Sequence, residues 1–115
     1  MSPESDQERA DRLMDDAFEA LERDNPKEAL KIAKILKRMR YSGCFEIQAL
    51  AYAHLGQLSK AIKVLREGTD KCPNVWRLWQ LLGNYLSDRG LFSEAFEAFE
   101  KGLETDEPYV ESLRL

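Results

Sequence analysis

The chain has 115 residues, of which 43% are hydrophobic and 33% are charged, and its formal net charge is −4. This composition fits one domain with one hydrophobic core, and the interleaved cations and acids lack the basic stripe of a nucleic-acid binder. The N-terminus has no basic start followed by an apolar run, and no segment reaches the ~18 apolar residues that a membrane span requires. The sequence therefore predicts a cytoplasmic protein that neither binds nucleic acid nor inserts into a membrane.

Two helices are predicted at the start of the chain, over residues 6–23 and 26–38. Each carries one apolar stripe at helical spacing. The stripes are formed by Leu13, Ala17 and Ala20 and by Ala29, Leu30 and Ala33. Ser2 and Ser5 are candidate caps for the first of these helices. Together the two helices form a first predicted helical hairpin.

The next two helices are predicted over residues 43–55 and 59–71. Their apolar stripes are formed by Phe45, Ala49 and Tyr52 and by Ala61, Ile62, Leu65 and Gly68. Gly56 stands between them and suits a helix C-terminus that needs a left-handed residue. Ser59 then becomes a candidate cap for the following helix.

The last predicted pair of helices covers residues 75–89 and 93–105. The stripes here are formed by Trp79, Gly83 and Leu86 and by Ala95, Phe96, Phe99 and Gly102. Gly90 and Ser93 repeat the turn and cap pattern. A short seventh helix is predicted from about residue 109, either as a cap or as the cut edge of a longer array.

The second and third hairpins are copies of one unit. A shift of 34 residues aligns 42–75 with 76–109 and pairs four identical residues: Gly56 with Gly90, Ser59 with Ser93, Ala61 with Ala95 and Gly68 with Gly102. The other apolar positions pair residues of similar size, such as Phe45 with Trp79. A fixed period of this length is the signature of a stacked-repeat architecture. We expect Trp79, Phe99, Tyr52, Leu65, Ala61 and Ala95 to be buried between the helices.

The repeated unit resembles the tetratricopeptide repeat (TPR) family. The resemblance is carried by "WQLLGNYLSDRGLFSEAFEAFEKGLETDEP" (79–108) and by "FEIQALAYAHLGQLSKAIKVLREGTDKCP" (45–73). The sequence departs from the family pattern at Gln48, Gly68, Leu86, Gly102 and Pro108. The resemblance implies an all-α fold, a right-handed superhelical stack of three hairpins in a single domain over residues 1–115. The repeats would span about residues 10–41, 42–75 and 76–108, followed by a C-terminal helix over 109–115.

The sequence contains neither a two-histidine metal motif nor a glycine-rich loop after a predicted strand, and its acidic residues fall on polar helix faces. His54 is the single histidine and falls in the last turn of a predicted helix, where a cation is favoured by the helix dipole. We therefore predict a non-enzymatic protein without cofactor or metal. Cys44 and Cys72 stand at helix ends that an antiparallel pair brings together, so a disulfide is geometrically conceivable. A reducing cytosol favours two thiols instead.

The resemblance implies that the first helix of each hairpin lines a concave groove that binds a protein or peptide. Helical spacing assigns to this groove Met14, Phe18, Leu21, Glu46, Leu50, Ala53, His54, Arg77, Gln80, Asn84 and Ser87. The groove is apolar at its N-terminal end and polar at its C-terminal end. It therefore suits an amphipathic helix and does not suit an acidic tail, which would need polar groups at Phe18 and Leu50.

Three interpretations stay open at this point. The leading one is an interaction module that binds an apolar or amphipathic segment of a partner. The first alternative is a chaperone or assembly factor similar to the small TPR chaperones of type III secretion, and the second is a self-associating subunit in a homo-oligomer. For the first helix a further alternative is one broad stripe that is buried against the neighbouring helix, formed by Leu13, Met14, Ala17, Phe18 and Leu21.

Overall fold

A computed structural model describes residues 3–105, and the regular structure in that range is entirely α-helical. The helices are α1 (Asp6–Glu22), α2 (Pro26–Arg38), α3 (Gly43–His54), α4 (Leu58–Lys71), α5 (Trp76–Asp88) and α6 (Phe92–Leu103). The predicted all-α class is thus confirmed, and every helix boundary lies within two residues of its predicted position. The predicted seventh helix falls outside the described residues.

The chain divides into two compact units, Met1–Ala61 and Ile62–Leu115, and the boundary falls within α4. In the first unit α2 packs against α1 and against α3, and α1 also contacts α3. In the second unit α5 packs against α6. Within each unit the pairs α1–α2, α2–α3 and α5–α6 thus join helices that follow one another in sequence, as a helical-hairpin repeat requires. The single domain of three repeats stays a prediction.

The start of α1 is fixed by side chains. Ser5 Oγ accepts a hydrogen bond from the Glu8 N–H (3.1 Å), and Glu8 Oε1 accepts one from the Ser5 N–H (3.3 Å). This reciprocal capping box satisfies two N–H groups that the helix leaves without partners, and it confirms Ser5 as the cap. Arg12 donates two hydrogen bonds to the Glu4 carboxylate, which lowers the pKa of Glu4.

The turn after α3 has the conformation that the sequence predicts. Gly56 has φ +74°, its N–H bonds the Ala53 carbonyl (3.0 Å), and the Gln57 N–H bonds the Tyr52 carbonyl (2.8 Å). These two bonds form a Schellman motif, which ends a helix on a left-handed residue. The same motif ends α1, where the Asp24 N–H bonds the Leu21 carbonyl (3.0 Å) and the Asn25 N–H bonds the Ala20 carbonyl (2.8 Å), but Asp24 places a side chain at φ +59°.

The predicted cap at Ser93 is wrong. The N-cap of α6 is Leu91, so Ser93 lies inside the first turn of the helix. The physical reason is the short turn before it, because the Leu91 N–H already bonds the Leu86 carbonyl (2.9 Å) and the chain enters α6 at once. Likewise Ser59 is the second residue of α4 and does not precede it.

The left-handed turn at Gly56 gives a first testable prediction. A Cβ added there would meet no atom within 4 Å, so Gly56→Ala changes only the backbone energy. We expect a loss of about 1–2 kcal/mol in the free energy of unfolding, measured by urea denaturation. Asp24→Gly is the matched reverse change and should raise that free energy. A gain in stability for Gly56→Ala would contradict this account of the turn.

The alanines of the predicted stripes are buried as expected, together with Leu13 and Leu65. Leu13, Ala17, Ala20, Ala29, Ala33, Ala61, Leu65 and Ala95 all belong to the core. Alanine at these positions lets paired helices approach closely, because a larger side chain would hold them apart.

The large aromatic residues of the predicted core lie nearer the surface than predicted. Tyr52 and Trp79 are half-buried, and Phe99 is exposed, so its predicted burial is wrong. Trp79 lies at the rim of the α5–α6 pair, where its indole N–H donates to the Pro73 carbonyl (2.8 Å) and the Lys101 ammonium lies over the ring (5.3 Å). Phe99 packs one side of its ring on Gly83 of α5 and leaves 36% of the residue exposed.

Candidate functional site

The predicted groove residues belong to both units. Those on α1 and α3 are Met14, Phe18, Leu21, Glu46, Leu50, Ala53 and His54, and those on α5 are Arg77, Gln80, Asn84 and Ser87. Their union in one groove stays a prediction.

Met14 joins α1 to the start of α3. A Cβ added to Gly43 would lie 2.6 Å from Met14 Sδ and 2.7 Å from the Tyr41 ring, so the thioether packs directly on the glycine backbone. Met14 is half-buried in this contact. The first helices of two successive hairpins are therefore neighbours, and side chains on their shared flank form one surface.

Leu21 does not belong to this surface, which corrects its predicted place in the groove. Only 6% of Leu21 is exposed. The reason is helical geometry: Leu21 follows the fully buried Ala17 by four residues and shares its face. Phe18 follows Ala17 by one residue, which turns it by about 100° toward the flank of the helix.

Phe18 is half-buried and lies in a shallow surface depression on α1. The depression is also lined by Asp15, Glu19, Glu22 and Arg23, and Arg23 forms an ion pair with Glu19. Three carboxylates and one guanidinium thus surround an aromatic ring. This rim would repel an acidic ligand, which agrees with the rejection of an acidic tail on sequence grounds.

On α3 a half-buried leucine stands beside a fully buried alanine. Leu50 is half-buried, whereas its neighbour Ala49 has no exposed surface. Glu46 and Ala53 are half-buried on the same flank, four residues before and three residues after Leu50, and His54 is exposed at the end of the helix. This flank of α3 presents one large apolar side chain between smaller or polar neighbours.

The α5 residues of the predicted groove are polar and partly engaged with one another. Arg77 Nη1 donates to Gln80 Oε1 (2.8 Å), Gln80 and Ser87 are half-buried, and Asn84 is exposed. Gln80 and Asn84 also line a pocket of about 190 Å³ whose other walls come from Trp76, Phe99, Gly102 and Leu103.

Sequence reasoning missed the α6 side of this pocket. Its signal is present in the sequence, because Phe92, Phe96, Phe99 and Leu103 recur at i, i+4, i+7 and i+11. This stripe is distinct from the buried alanines Ala95 and Ala98. The alanine face packs against α5, and the second stripe reaches α5 through Phe99 on Gly83 but leaves Phe92, Phe96 and Leu103 largely exposed.

Residues 3–105 offer neither a metal site nor a membrane-spanning helix. That range contains no group of three or more His, Cys, Asp or Glu residues able to hold a metal ion. None of its helices combines the length and apolar character needed to cross a membrane. Both cysteines are thiols, with Cys44 buried and Cys72 half-buried.

Comparison with known families gives two matches. Residues 44–84 match a family model described as "Tetratricopeptide repeat", and residues 77–109 match a second model with the same description. The search of curated proteins gave no match. The two matches cover the repeats that the 34-residue period defines.

Proposed function

Because the chain belongs to the tetratricopeptide repeat family, whose repeats are generally non-enzymatic protein–protein interaction modules, we propose that it binds an apolar or amphipathic segment of a partner protein. The binding surface is the α1–α3 face, defined by Met14, Phe18 and Leu50. The observation that carries the proposal is the packing of α1 on α3 with large, half-buried apolar side chains on their flanks. Covering these apolar side chains with a ligand removes them from water, which favours binding.

The shape and charge of the α1–α3 face favour an amphipathic helix as the ligand. A ligand helix that lies along α1 and α3 would contact Phe18 and Leu50 with its apolar face. The carboxylates of Asp15, Glu19 and Glu22 favour cations beside that apolar face. The polar residues of α5 are a predicted continuation of the surface, and the test below does not depend on them.

The other interpretations of the sequence stay predictions. A chaperone or assembly factor would use the same face, with an unassembled subunit as its ligand. A homo-oligomer would cover the face with another copy of the chain, and sedimentation of the pure protein separates it from a monomer. The cytoplasmic location is likewise a prediction.

The test of the α1–α3 face is Leu50→Glu. A glutamate is readily solvated on a helix flank, so the thermal melt should change little. A partner segment would have to desolvate the charge against its apolar face, and we expect binding to weaken at least tenfold, or ~1.4 kcal/mol. The measurement pairs a thermal melt with a pull-down from native lysate on the same variant.

Leu55→Glu is the matched control for this experiment. It makes the same substitution five residues further on, at an exposed leucine that follows the end of α3. Binding should be retained in this variant. A collapsed melt for Leu50→Glu would show that Leu50 is core. Unchanged melting together with unchanged capture would place the binding surface elsewhere.

A further inference from the structure

The second unit presents an apolar stripe that the proposed function does not use. On α6, Phe92 is 70% exposed, Phe96 64%, Phe99 36% and Leu103 68%. Their spacing puts all four on one face of the helix, about three turns long. Single exposed apolar residues are ordinary on protein surfaces, but a contiguous row of this kind marks an interaction site.

The stripe continues into a groove on the α5 side. The pocket of about 190 Å³ between the two helices is lined by Trp76, Gln80, Asn84, Phe99, Gly102 and Leu103. Its floor is well packed, because the Phe99 ring lies across Gly83, where an added Cβ would come within 2.5 Å of the ring. We call the groove and the stripe together the α5–α6 face. Its shape suits a helix laid alongside α6.

The outer edge of this face is acidic. Glu97 and Glu100 on α6 and Glu104 at its C-cap follow one another at i, i+3 and i+7, and all three are exposed. The only cation on the helix, Lys101, borders this edge at i+4 from Glu97, and its ammonium lies over the Trp79 ring at 5.3 Å from the centroid. The remaining carboxylate, Glu94, pairs with Arg66 (3.0 Å). The apolar stripe is therefore flanked by carboxylates on one side and by the Gln80 and Asn84 amides on the other.

We propose that the α5–α6 face docks an amphipathic helix of a partner protein that carries lysines or arginines along one edge. The apolar side of that helix covers Phe92, Phe96 and Leu103. Its basic edge lies against the α6 carboxylates, which sets its orientation and direction. The proposal is independent of the α1–α3 face, since it concerns different helices in the other unit.

Charge favours a basic-edged partner helix over two other occupants of the α5–α6 face, the chain's own C-terminal residues and a second copy of the chain. Residues 109–115 of the chain, "YVESLRL", contain one acid and one base and supply no basic edge. A second copy that paired its α6 antiparallel about a two-fold axis would bring each acidic edge against its own copy, and like charges that face each other are destabilising. A basic-edged helix matches the acidic edge along its length.

The test uses two synthetic probe peptides with the full-length protein. Both are fluorescein-labelled helices of about 18 residues with leucines at i, i+3, i+4 and i+7. One carries lysines along one edge, and the other carries glutamates at the same positions. We expect the lysine peptide to bind at least tenfold more tightly in fluorescence anisotropy, with affinity that falls as salt is added.

Two variants locate the binding on α6. Phe96→Asp should weaken the lysine peptide at least tenfold while circular dichroism stays unchanged, because Phe96 is exposed in the free protein. The triple change Glu97→Lys, Glu100→Lys and Glu104→Lys should reverse the preference toward the glutamate peptide. Asp15→Lys with Glu22→Lys weakens any lysine peptide bound at the α1–α3 face, and the preference of the α5–α6 face for the lysine peptide should remain measurable in this variant.

Each contrary outcome overturns the proposal. If only Asp15→Lys with Glu22→Lys abolishes binding of the lysine peptide, the peptide binds the α1–α3 face. That result supports the proposed function and contradicts docking on the α5–α6 face. If sedimentation shows a dimer that Phe96→Asp dissociates, the occupant is a second copy. If Val110→Ser with Leu113→Ser tightens peptide binding tenfold, the occupant is the chain's own residues 106–115. Equal binding of both peptides to the wild type would show that the acidic edge selects nothing.

Discussion

Leu86→Ala is expected to lower the free energy of unfolding by about 2–5 kcal/mol, the range for a fully buried leucine. Only 1% of Leu86 is exposed, and it is among the largest fully buried side chains of the described residues. The loss combines the transfer of the leucine atoms with a cavity that the packed α5–α6 pair fills only in part. Urea denaturation followed by circular dichroism measures it.

Leu103→Ala is the matched control for that loss. It removes the same atoms within the same unit, but from a side chain that is 68% exposed. Its effect on stability should stay within about 0.5 kcal/mol. If Leu86→Ala and Leu103→Ala lowered the free energy of unfolding equally, the difference in burial between Leu86 and Leu103 would be wrong.

The sequence was sufficient to predict the helices because three independent signals agree along the chain. The apolar spacing, the left-handed glycines and the 34-residue period all place helix ends at the same positions. Gly56 and Gly90 are the clearest case, since both adopt the left-handed conformation that their position implies. The prediction that Ser93 caps α6 was wrong because a serine is favoured both before a helix and within its first turn.

Burial was harder to predict than helicity. Helical spacing shows which residues share a face, but it does not show which of two apolar faces a neighbour covers. On α6 the buried face is made of Ala95 and Ala98, and the exposed face carries the larger Phe96 and Leu103. A prediction that places the largest residues inside therefore fails on this helix, as it does for Phe99.

The candidate site was predicted in part for the same reason. Met14, Phe18 and Leu50 lie half-buried on the flanks of adjacent first helices, which spacing alone can anticipate. Leu21 turned inward because it follows Ala17 by one helical turn. The pocket beside Gln80 was missed because half of its wall comes from α6, and a rule that looks only at first helices cannot find it.

Ala95→Trp carries the second large expected effect. Ala95 is 2% exposed on the face of α6 that packs against α5. An indole in place of a methyl group forces the helices apart or drives side chains from their rotamers, and we expect a loss of about 1–3 kcal/mol or more. The measurement is a thermal melt with a urea titration, and cooperative unfolding should shift to lower denaturant.

Glu97→Trp provides the comparison for Ala95→Trp, because it adds the same indole to the exposed edge of the same helix. Its effect on stability should be small. The repeat period adds a second comparison, since Ala61 occupies the equivalent position on α4 and is fully buried. Ala61→Trp should therefore destabilise the protein as Ala95→Trp does. If either substitution leaves stability unchanged, that alanine is not at a close helix contact, and the alignment of 42–75 with 76–109 is in the wrong register.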